Sequence, residues 1–146
     1  MQDFRAYQST ISLWYDLMQG AQEKGDFYLQ ENVESYIVFL LMRFTERPEI
    51  ANVVLAEDYL LASQRTGVMH HEKMRDVADG CLLHAGFYPD RSIRKNVSVN
   101  YFLDMGRIAY RSLTVLPERI WTGPYHDLED KIDDAARVLA LVNQMQ

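Results

Sequence analysis

Three of the four histidines, His70, His71 and His84, fall in one stretch together with Glu72, Asp76, Asp79 and Cys81. Imidazole, carboxylate and thiolate groups bind transition metals and move protons at neutral pH, so chemistry is sought here first. The stretch reads as one helix, from about Val68 to Ala85. At 100° per residue, His70, Met74, Val77, Cys81 and His84 share one face of it. Fourteen residues separate His70 from His84, about 21 Å along a helix axis, so the two cannot ligate one ion. A metal at His84 would need carboxylates from another segment, such as Glu57 and Asp58. His84 is therefore expected to be a partly buried histidine hydrogen-bonded inside the protein, binding no metal. His70 and His71 read as polar residues of a first helical turn.

Glu72, Arg75, Asp76 and Asp79 lie on the opposite side of the same helix. Arg75 and Asp79 are four residues apart and can pair. The helix turns apolar all round at Cys81-Leu82-Leu83, just after Asp79. Asp79 is thus expected to be a structural carboxylate, tying this helix to a tyrosine or an arginine elsewhere. On a ligand-binding reading, Asp79, His84 and Tyr101 are the polar contacts of a pocket lined by Tyr and Met side chains. On an enzymatic reading, His84 acts in a metal-assisted site with the carboxylates of the preceding segment. Cys81, among Ala78, Leu82 and Ala85, reads as a small core residue rather than a reactive thiol.

A second group follows. The turn Gly86-Phe87-Tyr88-Pro89 is succeeded by Arg91, Arg94 and Lys95, and Arg107 and Arg111 project with Asp104 from the polar side of the next helix. Aromatics flanked by basic residues have the composition of binding hot spots. The corner from Tyr88 to Arg111, with Phe87, is therefore the expected partner-facing surface. The plainer alternative is that Phe87 and Tyr88 close the core beneath a solvated loop.

Larger signatures are missing. The chain has no glycine-rich phosphate loop, no Gly-x-Ser-x-Gly, no His-Glu-x-x-His, no Glu-x-x-His and no Cys-x-x-Cys. No catalytic residue and no cofactor is assigned. With 15 basic and 21 acidic residues the net charge is −6, which makes nucleic acid an unlikely partner. The single cysteine cannot form an internal disulfide. The first residues do not read as a secretion signal, and no apolar run reaches the roughly 18 residues of a membrane span. The expected location is the cytoplasm, with no membrane.

Apolar residues recur at three- and four-residue steps throughout, which predicts an all-α protein: an irregular bundle of about six helices in one domain over residues 1–146. The helices are expected over about Asp3–Gln19, Phe27–Thr45 (capped by Asp26), Glu49–Arg65, Val68–Ala85, from Ser98 to Pro117, and from Pro124 almost to the end. The second, third and fourth should be the most buried. The last carries a regular stripe of Tyr125, Leu128, Ile132, Ala135, Leu139 and Val142, suited to a bundle or short coiled coil. That stripe admits a homodimer.

Arg75-Asp76-Val77-Ala78-Asp79, then Gly86-Phe87-Tyr88-Pro89, then Ser98-Val99-Asn100-Tyr101-Phe102 resembles a family of small uncharacterised bacterial helical proteins. There, a Gly-Asp pair precedes an apolar turn ending in Gly-Phe-Phe-Pro and a Val-x-Tyr-Tyr segment. Ala78 stands here for the glycine, Tyr88 for the second aromatic and Phe102 for the second tyrosine. The resemblance covers about the central third of the chain. It implies a bacterial source and supplies no activity or catalytic residues. The expected function is that of a small non-enzymatic interaction or regulatory protein, with a protein partner or a second copy of itself.

Overall fold

Apolar stripes at helical spacing bury themselves by packing helix on helix, and the computed structural model follows that logic. It describes residues 4–51, 55–87, 98–115 and 123–145. Its elements are α1 (Phe4–Gly25), α2 (Glu31–Glu46), a 3-10 turn (Pro48–Ala51), α3 (Leu55–Ser63), α4 (Gly67–Gly86), α5 (Val99–Thr114), α6 (Gly123–Asp130) and α7 (Ile132–Gln144). No strand occurs among the described residues. The all-α class holds, with seven helices among the described residues, and the last predicted helix is interrupted at Lys131. Among the described residues no helix is long and apolar enough to cross a membrane.

The centre is α4. From Val77 to Gly86 every residue is buried, and α4 packs against α3, α5 and α7. Three contacts fix its register with α5. His84 stacks on Phe102, Gly106 faces Ala78 and Cys81, and Tyr110 bonds to Asp79. Rising numbers on α5 meet falling numbers on α4, so the two helices run antiparallel. Ser98 starts α5 by accepting a hydrogen bond from the Tyr101 amide at 3.1 Å, an N-cap that satisfies one of the helix's orphan donors.

Several boundaries depart from the periodicity. The first helix continues through Gly20 to Gly25. Gln22, 1% exposed, explains this. Its amide nitrogen donates to the Met18 carbonyl and to Glu34, and its oxygen accepts from the Leu29 amide. Those bonds require Gln22 to stay on the helix, and they outweigh the two glycines. Asp26 does not cap α2; its φ of 54° makes it the left-handed residue on which the chain reverses after α1. α2 begins only at Glu31.

The third predicted helix is the main correction. It is split into the 3-10 turn and the short α3, and it is not central. Leu60 and Leu61 are 59% and 49% exposed. Among the α3 side chains described, from Glu57 to Ser63, only Ala62 is fully inside, so α3 lies on the flank of α4. Conversely, the stripe of the last predicted helix is spent internally. Tyr125, Leu128, Ile132, Ala135, Leu139 and Val142 are all buried within the chain, which leaves it nothing to offer a partner.

The tightest helix crossing is at Gly86. A Cβ there would lie 2.7 Å from the Ala136 carbonyl oxygen and 2.7 Å from Leu139 Cβ. Alanine is the better helix former by about 1 kcal/mol, but the obstacle at Gly86 includes backbone of α7, which cannot swing aside. Gly86→Ala is expected to destabilise the protein by roughly 1–3 kcal/mol. Urea unfolding followed by circular dichroism checks it, and a stabilised variant would refute the close crossing.

Candidate functional site

A carboxylate in the protein interior needs donors on every side. Asp79 is 0% exposed and has them. From α2, the Tyr36 hydroxyl donates to both of its oxygens, at 2.9 and 3.1 Å. From α5, the Tyr110 hydroxyl donates at 2.6 Å. The Arg43 guanidinium, also from α2, pairs with Oδ2. Tyr36 and Arg43 are seven residues apart, two turns on one face of α2, so one helix delivers both. The cation is thus Arg43, not Arg75 on Asp79's own helix. Arg43 also lies 3.6 Å from Asp76.

Aromatic rings surround this centre. Tyr125 of α6 meets Tyr36 edge-on at 5.9 Å and stacks with Tyr110 at 6.2 Å. Tyr36 and Tyr110 are themselves edge-to-face at 6.4 Å, and His71 meets Tyr125 at 5.7 Å. Such geometries contribute about 0.5–1.5 kcal/mol per pair beyond burial. Four helices therefore converge on one carboxylate.

The electrostatics follow from burial. Desolvation first, and then the Asp79 charge, push the Tyr36 and Tyr110 phenols well above their ordinary value, so both remain protonated donors. Burial and Asp79 raise Tyr125 as well. Desolvation works against the Arg43 cation, but the adjacent Asp79 outweighs it and holds Arg43 charged. Burial raises the Asp76 carboxyl. His71 is lowered, by desolvation and then by the neighbouring Arg75. Every interaction of Asp79 goes to a side chain of the protein, and its carboxylate is sealed from solvent. The arrangement ties helices together; a substrate would have to displace a tyrosine or Arg43 to reach it.

The other candidates are distributed differently. His84 is 0% exposed and lies parallel to the Phe102 ring at 4.8 Å. Tyr101, the residue before Phe102, points outward and is 42% exposed, so it is not gathered with Asp79 and His84. Cys81 is buried, and desolvation, reinforced by Asp79, pushes its thiol up to about 12, far from a reactive thiolate. Among the described residues no three His, Cys, Asp or Glu side chains are placed to hold a metal ion.

At the basic corner, Phe87 is buried, edge-on to Phe44 at 6.4 Å, and its carbonyl accepts from Asn143. Arg107 pairs with Asp104 and Asp133, and Arg111 with Glu129 at 2.5 Å. Tyr88, Arg91, Arg94 and Lys95 lie outside the described residues. No protein-family model, curated protein or solved structure matches the chain.

The sequence reading missed Tyr36, Arg43, Tyr110 and Tyr125 as partners of Asp79. A signal existed. Arg43 directly follows the apolar run from Tyr36 to Met42, and Tyr110 falls on the buried face of α5, one turn after Gly106; each brings a polar group that requires a partner inside.

Two outcomes are expected. Asp79→Ala strands Arg43 and two phenols, and removing one member of a buried pair costs about 3–5 kcal/mol; an unchanged melting temperature would disprove the network. The second concerns alkali. Tyr36 and Tyr110 titrate higher in the folded chain than the ordinary 10.0, so their contribution is complete below about pH 10 and is lost as pH rises through the folded values. The urea midpoint should fall above pH 10, and fall less steeply in a Tyr36→Phe, Tyr110→Phe variant. Equal slopes in the two proteins would contradict the assignment.

Proposed function

We propose that the chain works by binding another protein, through an apolar surface at the tip of the α3–α4 hairpin. The observation that carries this is where large apolar side chains are left outside. Of eleven exposed among the described residues, four lie between residues 60 and 69: Leu60 at 59%, Leu61 at 49%, Val68 at 71% and Met69 at 48%. Single exposed leucines are ordinary, whereas a cluster marks a contact site. On α3, Tyr59 and Ala62 face inward, which turns Leu60 and Leu61 away from α4. On α4, burial begins at Met74, so Val68 and Met69 lie on the turns that project beyond the core. The His70 ring, 2.9 Å from the Ala62 carbonyl, pins the two helices together at this end.

The chemical side chains support the same reading. Asp79 and His84 are sealed and Cys81 is unreactive, so a ligand pocket or metal-assisted site around them has less in its favour. The basic corner has Phe87 turned to the core and Arg107 and Arg111 already engaged. The family resemblance adds a bacterial setting to this proposal.

Affinity capture from the native source tests it. A partner recovered with the wild-type chain should be lost with a Leu61→Glu, Met69→Glu variant, whose substitutions sit on exposed positions and leave the helical spectrum intact. Recovery of the same partners by both proteins would remove the hairpin tip from consideration.

A further inference from the structure

We propose that the occupant of this hairpin tip is a second copy of the same chain, in a two-fold symmetric dimer; the inference rests on the tip being a contact surface. Two observations select a like partner, the charge of the rim and the extent of the apolar area.

The rim comes first. Glu57 precedes Leu61 by four residues and Arg65 follows it by four. Glu72 follows Val68 by four, and Lys73 follows Met69 by four. Helical spacing sets Glu57, Glu72 and Lys73 each beside one apolar residue, and Arg65 lies in the connection between α3 and α4, between Leu61 and Val68 in the chain. All four are exposed, and among the described residues none of them enters an ion pair. These two exposed acids and two exposed bases sum to zero, in a chain whose net charge is −6; Asp58, the other acid on α3, is half-buried and already engaged within the chain. In a two-fold interface a surface meets itself, so a rim of one sign would repel its copy, while a balanced rim complements it. The acidic surface elsewhere, such as Asp127, Asp130, Asp133 and Asp134 on α6 and α7, opposes self-association. This end is where that opposition vanishes.

The area comes second. The antiparallel register places residue 115, just past the end of α5, level with the first turns of α4, because Phe102 pairs with His84 and Tyr110 with Asp79. Val115, 79% exposed, therefore belongs to the same end as Val68 and Met69. Summed over this end, the five apolar residues expose on the order of 500 Å², an area comparable with the ~300–600 Å² of the largest patch on a typical monomer. With the four charged side chains around them the surface approaches the ~800 Å² that each partner contributes to a standard interface.

The test uses the full chain in sedimentation velocity across a concentration series, with circular dichroism to confirm that each variant is folded. The wild type should dimerise, and Leu61→Glu, Met69→Glu should weaken the dimer by roughly tenfold or more. Two rim variants make the test specific. Arg65→Glu with Lys73→Glu gives an all-acidic rim, and Glu57→Lys with Glu72→Lys an all-basic one. Each alone should be monomeric, and an equimolar mixture of the two should form the dimer again. A wild type monomeric up to on the order of 100 μM overturns the dimer. So does a dimer indifferent to the rim and apolar substitutions, or a mixture of rim variants that stays monomeric. The capture experiment separates this failure from that of the broader reading: a monomeric wild type that still loses a foreign partner through Leu61→Glu, Met69→Glu keeps the contact surface and removes only the second copy.

Discussion

A charged carboxylate placed where water cannot reach it must be surrounded by donors. Asp79 imposes that requirement on the whole fold. It sits on the most buried stretch of the central helix, and its donors come from α2 and α5. Tyr125 of α6 then packs on those donors. The geometry tolerates little slippage. A one-residue shift of α2 would rotate Tyr36 and Arg43 by 100° and move them 1.5 Å along the axis, taking both from the carboxylate at once. Apolar side chains alone tolerate many packings of similar energy. A carboxylate that accepts from three particular side chains discriminates among those packings, because each wrong one leaves a buried charge unpaired.

Small residues complement this constraint. Asp79 can be reached from two neighbouring helices only if those helices approach closely, and close approach needs positions without bulk. Ala78, Cys81 and Gly106 provide it between α4 and α5, and Gly86 with Ala136 between α4 and α7. The resulting core mixes large rings with small contact points, and its polar groups are concentrated at one side of α4.

Much of this was legible in the sequence, unevenly. Helix class and the extent of α4 and α5 follow from apolar spacing, from Ser98 and from Gly86. The burial of Asp79 was legible because the helix turns apolar all round two residues later, and its role as a tie to tyrosine or arginine followed. Its partners were not legible. Tyr36 and Tyr110 are separated from it by 43 and 31 residues, and nothing local distinguishes them from other tyrosines. Arg75 is spaced to pair with Asp79 on the same helix, and helical spacing has no means of showing which arginine elsewhere in the chain, here Arg43, comes closer. The continuation of α1 past Gly20 depended on Gln22 bridging to Leu29 and Glu34, again a tertiary fact. Periodicity also misjudged α3 in a revealing way. An apolar helix reads as central, because spacing measures which residues want burial and not whether anything covers them.

That error and the functional reading have one physical origin. In this chain the usual division of surfaces is partly reversed: a carboxylate, a histidine and a glutamine lie inside, and leucines, a valine and a methionine lie outside at one end. The carboxylate is explained by the donors around it, and the glutamine by its bonds to Met18, Leu29 and Glu34. The outside apolar groups are explained by no contact within the described chain, and each retains the free energy of transfer that burial would release, about 1.5–3 kcal/mol for a fully covered side chain of this size. The hairpin tip that carries them is held by the His70 contact to Ala62 and by the α4 core behind it. A surface presented on rigid helices loses little entropy when it docks. The buried network and the exposed tip are therefore two ends of one arrangement: α4 is fixed at its middle by Asp79, and its first turns are projected, with α3 beside them, as a preformed face.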